Sequence, residues 1–504
     1  MPTVSPAYQR PVPPVARPRL ADMQLRPDPV GTGIAIFGIL IVMATVGGQV
    51  PTELAHYAAI GTGFSLLASL AFDLRRGILN LIRADVMALL AYYFLTLFEF
   101  LLPQKAFNLM ISVNSTHNAL NIALLGYVGL LIGRHIPQPK KQPFEKVLTW
   151  EIPPPMLILI FWGALFLGYL YMLLAVNFDV MKMVNYFMDA RFSQPWQRSK
   201  FGDWKALLNE LGLFIYLIPP LAGVIFARRQ RFGKFALFTI FIGYLFTLFY
   251  GFSGGTRNVF ATYLVTFLIA YVIARPPEAP KRGIIIICLV SALAMYFSTI
   301  YMLKFRNIGL KNFILYGEPA GDPHEKGLFV DYNLYAIGKL TEVFPSKHAY
   351  LGLEVPYNAI IRPIPRALWK NKPQGLSISI EDALGVSGLT IATSFSGEAY
   401  MSGGLFGVLT IAILFGMYNG WWNYLSSPRN SELGILIYAS GFFAAVISMR
   451  SLFEFTTALM PVFASFALTV YVINVAAKKV VAIRANRNRN RPLPPRPGAR
   501  PLHR

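Results

Sequence analysis

The sequence predicts an all-α, polytopic integral membrane protein with about twelve transmembrane helices and one large extracytoplasmic loop. Hydrophobic residues make up 55% of the 504-residue chain and charged residues 14%, against roughly 25% charged in ordinary soluble proteins. The apolar residues fall in runs of about twenty, the length that crosses a hydrocarbon core as a helix. These runs are apolar all round instead of striped, as a helix facing lipid or buried in a bundle requires.

Twelve runs are found, at about 31–48, 54–72, 84–102, 117–133, 154–175, 207–227, 235–252, 257–274, 283–303, 403–424, 433–450 and 457–477. The first is preceded by a Pro- and Arg-rich arm and lacks a small-residue cleavage site after it, so it is expected to be a permanent span rather than a signal peptide. The single cysteine, Cys288, lies inside a run, so no intrachain disulfide can form and any part outside the membrane must be held by packing.

Orientation follows from Lys and Arg. The segments after the even-numbered spans are basic: Arg75, Arg76 and Arg83; Arg134, Lys140 and Lys141; Arg228, Arg229, Arg231 and Lys234; Arg275, Lys281 and Arg282. Arg10, Arg17, Arg19 and Arg26 precede the first span, and the tail from Lys478 to Arg504 is basic with no acid. With twelve spans all of these fall on one side, which the positive-inside rule makes cytoplasmic, both termini included. The net charge of +22 is thus a topology signal. The tail is expected to lie on anionic headgroups, and no nucleic-acid partner is expected.

The expected organisation is a disordered basic arm (1–30), nine spans (31–303), a large outer loop (304–402), three spans (403–477) and a disordered basic tail (478–504). Both tails are Pro-rich and lack apolar periodicity. The large loop is the only soluble-sized segment, with helix-like stretches at Val330–Thr341 and Ser379–Leu384 and a Pro-rich stretch at Ile361–Pro373.

Candidate site residues gather on the outer side. A first loop, 176–206, carries Arg191, Trp196 and Arg198. The Gly-rich turn Gly251–Arg257 opens a helix, and backbone N–H groups together with the Arg257 guanidinium at a helix N-terminus make an anion site. A tight turn with Arg257 on a lipid phosphate is the competing reading. Arg306 stands at the start of the large loop. Farther along, Arg362, Arg366, Lys370 and Lys372 are interleaved with prolines and Trp369. Prolines stiffen such a cationic ridge, guanidinium forks suit diphosphate oxygens, and an indole suits a sugar face. Glu398 and Tyr400 lie where the chain re-enters the membrane. A carboxylate partly withdrawn from water there is suited to taking a proton. Arg450 and Glu454 form another charged pair near lipid, and intramembrane charges are functional hypotheses by default. Glu99 joins that group, whereas His56 is expected to be packing.

No Walker A, HExxH or DxD-type pair occurs, so ATP hydrolysis is not expected, no metal or cofactor is implied, and arginines would take the place of a metal on any diphosphate.

Three stretches resemble the O-antigen polymerase family, also called oligosaccharide repeat-unit polymerases: Ser253–Arg257 opening an apolar helix, Arg362–Pro373, and Ser396–Gly407 at the re-entry. The resemblance implies a GT-C-like helical bundle in a bacterial inner membrane and a metal-independent, inverting glycosyltransferase. It would join undecaprenyl-diphosphate-linked oligosaccharide repeat units into a surface polysaccharide at the periplasmic face, with membrane lipids and a chain-length regulator as further partners. It also implies that Arg257, Arg306, Arg362 and Arg366 neutralise the departing diphosphate, that Glu398 accepts the acceptor proton, and that Trp196, Trp369 and Tyr400 shape the sugar channel. An O-antigen ligase would use the same donor with a different acceptor. A lipid-linked oligosaccharide flippase would need substrate or coupling groups near the midplane on broken helices, and here the span centres are nearly free of charge.

Overall fold

The computed structural model describes residues 25–136, 151–190, 193–196, 203–275, 282–306, 308–317, 333–364, 366, 368–373, 375–384, 392–424 and 431–489. Among these, fourteen principal helices run in chain order: α1 (Pro29–Thr45), α2 (Pro51–Arg75), α3 (Ala84–Thr96), α4 (Val113–Gly133), α5 (Pro154–Ala175), α6 (Ile218–Ala227), α7 (Lys234–Ser253), α8 (Arg257–Ala274), α9 (Arg282–Phe305), α10 (Asn333–Val343), α11 (Glu354–Ile361), α12 (Ser394–Tyr424), α13 (Glu432–Ile447) and α14 (Leu452–Arg489). Each predicted span coincides with a helix. Nine, among the described residues, are long and apolar enough to cross a membrane; α1, α3 and α13 are apolar but shorter. The protein is therefore a polytopic helical membrane protein.

Local sequence explains the irregular spans. The sixth begins as a 3₁₀ helix, Asp203–Leu217, and becomes α-helical at α6. Pro219 and Pro220 fall in the first turn of α6, where their missing N–H groups are not needed for the helix ladder and their fixed φ suits its start. The third span ends at Thr96, and a 3₁₀ turn, Phe98–Leu101, follows it. At its end α4 lies against α12: a Cβ on Gly133 would overlap the Ile413 carbonyl and lie 2.9 Å from the Gly416 Cα. Close backbone approach at small residues is how helices associate where lipid removes the hydrophobic drive. Gly133→Val is expected to lower stability by about 1–3 kcal/mol through overpacking, read as a lower melting temperature in detergent. An unchanged melt would mean that α4 and α12 do not touch there.

Chain direction sorts the helix ends into two groups. At one end, the Ala84 N–H at the start of α3 donates to Asn423 near the end of α12 (2.8 Å). Arg228, just after α6, pairs with Glu432 at the start of α13, which also accepts from the Ile152 N–H ahead of α5 (3.1 Å). The other end gathers the starts of α4, α8, α12 and α14 and carries the long segment between α9 and α12.

The first end holds a buried ionic network that the charge pattern disguised as topology markers. Arg83 reaches Asp73 at 2.8 Å and Asp85 at 3.0 Å. Arg134 lies 3.5 Å from Asp85 and 3.6 Å from Asp73 and donates to Ser69 (2.9 Å). Asn423 also donates to Asp85. All four charged side chains are at most 2% exposed. Burial works against the Arg83 charge, but Asp85 and Asp73 outweigh it and hold its pKa above the usual value. Arg83 also donates to the Arg26 carbonyl (2.7 Å), and Asp73 accepts from the Asp28 N–H (2.7 Å), which fastens the chain entering α1 to the same network.

Two boundaries differ from expectation. α14 continues to Arg489, so the part of the basic tail from Lys478 to Arg489, expected to be disordered, is helical. Its Ala-, Lys- and Arg-rich sequence extends a helix already nucleated, at little further cost. Residues 1–24 and 490–504 lie outside the described residues. α12 starts at Ser394, inside what was assigned to the large loop, and its backbone breaks at Gly403 and Gly404. Gly404 has φ +62° with the Tyr350 ring packed against it, a conformation that a side chain would strain. Part of the large loop also belongs to the core of the bundle. α10 packs into the core formed by α1–α4 and α12, with Leu334, Ile337 and Leu340 fully buried and Asn333 donating to the Leu95 carbonyl of α3 (2.9 Å).

Candidate active site

Glu398 lies one turn into α12, where the entry is held in place by the Phe395 N–H donating to the Met449 carbonyl after α13 (3.2 Å). Ser394, the first residue of α12, has φ +55°, a strained conformation of the kind that clusters at functional sites. Glu398 is 3% exposed. One of its oxygens accepts from the Ser451 hydroxyl (2.6 Å) and the other from the Leu452 N–H, the first of α14. The carboxylate thus caps α14, where a negative charge also complements the helix dipole. A carboxylate has about four lone-pair sites, so two donors leave capacity to accept a proton.

Glu398 forms part of the wall of a cavity of about 440 Å³, together with Arg362, Arg366, Lys372, Arg450, Glu381 and Glu454. Three separate stretches of sequence supply it: the ridge after α11, the entry of α12, and the corner between α13 and α14. The ridge is closed on itself. Glu354 accepts from the Ser377 hydroxyl at its base (2.9 Å). Lys372 donates to the carbonyls of Arg362 and Ile364, both at 2.8 Å, and Arg366 to that of Pro373 (3.3 Å). The Arg362 guanidinium lies over the Phe453 ring, 5.7 Å from its centroid, a cation–π contact that fixes its plane. The cavity can therefore surround an anion with several cations while setting a buried carboxylate in the same space.

Of the residues singled out from sequence, Arg362, Arg366, Lys372, Arg450, Glu398 and Glu454 meet in this cavity. Trp369 and Lys370 stand on the ridge but do not line it. Arg257 and Arg306 belong to a second group at the same end. Gly255, in the turn before Arg257, lies against the Arg306 backbone, and Gly309 lies against Asp189 and Ala190 of the segment after α5. Arg191 and Arg198 lie outside the described residues.

Two expectations are corrected. Trp196 is 5% exposed, packs edge-on against Tyr186 and Phe187, and donates its indole N–H to Gln194 (3.1 Å). It is a core residue, because its neighbours supply an apolar wall that a sugar would otherwise have to fill. Tyr400 donates its hydroxyl to the Phe344 carbonyl (3.1 Å) and meets Tyr350 edge-on, so it braces the loop and lies outside the cavity wall. His56 bonds the Phe100 carbonyl (2.7 Å), as packing requires. Sequence reasoning passed over Glu381, which follows Ser379 in an ordinary helix-start pattern: Ser379 bonds Asp382 (2.7 Å), and only the fold turns Glu381 to the cavity.

Among the described residues, no group of three His, Cys, Asp or Glu side chains is placed to hold a metal. The fold and site together define a polytopic helical membrane protein with a cationic, carboxylate-bearing cavity at one end of its bundle. Comparison with family models, with curated proteins and with solved structures finds no match.

Proposed function

We propose that the protein is a membrane glycosyltransferase that polymerises lipid-diphosphate-linked oligosaccharide repeat units, with chemistry at the cavity end, facing outside the cytoplasm. The observation that carries this reading is the convergence of Arg362, Arg366, Lys372 and Arg450 with Glu398 in one cavity. The cations would neutralise a departing diphosphate, and Glu398 would take the proton of the attacking sugar hydroxyl. The donor's sugar–diphosphate bond would supply the energy. The distribution of charge favours surface chemistry over transport: the ionic clusters described sit at the two ends of the bundle.

The deciding experiment is the surface-polysaccharide profile of a strain lacking the gene. Single repeat units with loss of the long-chain ladder, restored by the wild-type gene, are expected. A full ladder in the deletion strain, with no second polymerase gene present, would remove the reading. Arg362→Lys keeps a positive charge but loses the bidentate fork and the planar stack on Phe453. It is expected to slow polymerisation by roughly 100-fold, within the range of losing one preorganised donor; wild-type rates in a purified lipid-linked assay would deny Arg362 a diphosphate role. Orientation has its own check. A reporter active only outside the cytoplasm should be active when fused near Gly321 and silent near Arg229, and the reverse would move the cavity to the wrong side.

A further inference from the structure

We propose that α11 lies half-immersed in the lipid leaflet at the cavity end, with phospholipid tails covering its outer face. This placement goes beyond the glycosyltransferase reading and holds whichever reaction the cavity serves. α11 is apolar on both sides. Its inner side, Val355 and Ala359, belongs to the protein core. Its outer side carries Tyr357 (48% exposed) and Ile360 (65%), with Leu353 (83%) at its N-terminal cap and Ile364 (38%) in the turn that follows. Leu353, Tyr357 and Ile360, four and three residues apart, share one helical face, and Ile364 and Leu368 (72% exposed) follow as further exposed apolar side chains, completing the exposed stripe. A contiguous apolar surface of this kind needs a cover.

Two observations identify the cover as lipid. First, Thr456 donates its hydroxyl to the Ala359 carbonyl, so α11 is seated beside the second turn of α14, whose stretch Leu452–Tyr471 is apolar and long enough to cross a membrane. Phe463, seven residues after Thr456 and so on the same face of α14, is 63% exposed. α11 thus stands beside a spanning helix that itself exposes large apolar side chains, a neighbourhood that lipid tails suit. Second, Arg362, Arg366 and Lys370 are exposed at the C-terminal end of the stripe, with half-exposed Trp369 among them. Cations and an indole at one edge of an apolar face match the headgroup layer of an anionic leaflet. Asn358 and Arg362 line the cavity, so the leaflet reaches the cavity wall itself.

The test uses the full chain in vesicles of phosphatidylethanolamine and phosphatidylglycerol. The only cysteine is removed as Cys288→Ser, and single cysteines are placed by Leu353→Cys, Ile360→Cys, Leu368→Cys and, as the control, Lys347→Cys, each labelled with bimane. Melting temperatures matching the wild type select the variants that are read. The three stripe positions are expected to lose most of their emission to lipids with brominated tails and little to iodide in the buffer, while Lys347→Cys shows the reverse. Quenching of the stripe by iodide would place it in water. Protection from both quenchers would place it under protein, a second copy of the chain being the first candidate. Either result overturns the proposal. Because the labels respond without turnover, this outcome is independent of whether polymer is made.

Discussion

Glu398→Gln is expected to abolish the long-chain ladder in a complemented deletion strain and to slow polymerisation in a purified assay by about 100- to 10,000-fold, the span assigned to a positioned base. The same side chain also caps α14, so loss of activity must be separated from loss of the cap. Ser451→Ala does this. It removes the hydroxyl that donates to Glu398 and that accepts from the Phe453 N–H in the first turn of α14, so it weakens that helix start by about 2 kcal/mol while leaving the carboxylate in place, and most activity should remain. Quantifying each variant in membranes excludes poor expression. If Glu398→Gln makes full-length chains, the residue is only a cap. Glu454, which lines the same cavity, then becomes the carboxylate to replace.

Arg83→Met is expected to produce the largest loss of stability. It would leave Asp73 and Asp85 buried with Arg134 as their remaining arginine. Breaking one partner out of a buried ionic group costs about 3–5 kcal/mol, because a charge is stranded away from water. Set against a total of roughly 5–15 kcal/mol for a folded domain, that should appear as a marked drop in melting temperature and in yield from membranes. Adding Asp85→Asn to Arg83→Met removes a stranded charge and should recover part of the loss. A wild-type melt for Arg83→Met would show that the network does not hold this end of the bundle together.

Much of the fold was legible because a hydrocarbon core imposes a length on each helix, and twelve apolar runs of that length stand out whatever their neighbours are. The ionic network was hidden for a related reason. Arg83 and Arg134 lie in the segments where basic residues mark orientation, and nothing local distinguishes a guanidinium in water from one closed in by Asp73 and Asp85. In the site, residue types were legible and their convergence was not. Arg362, Glu398 and Arg450 come from separate segments, and their shared wall depends on how α11 and the α13–α14 corner pack. Trp196 misled because an indole among cations looks the same in sequence whether it faces a sugar or, as here, Phe187.

The self-closure of the cationic ridge has an evolutionary consequence. Glu354 and Ser377 join its two ends, and Lys372 holds its interior through main-chain carbonyls, which any residue can provide. Between those anchors, positions outside the cavity lining, Leu368 and Trp369 among them, can change while the main chain of the ridge keeps its course. The ridge is thus a self-bracing module, whose shape rests on its main chain more than on the identity of its outward-facing side chains.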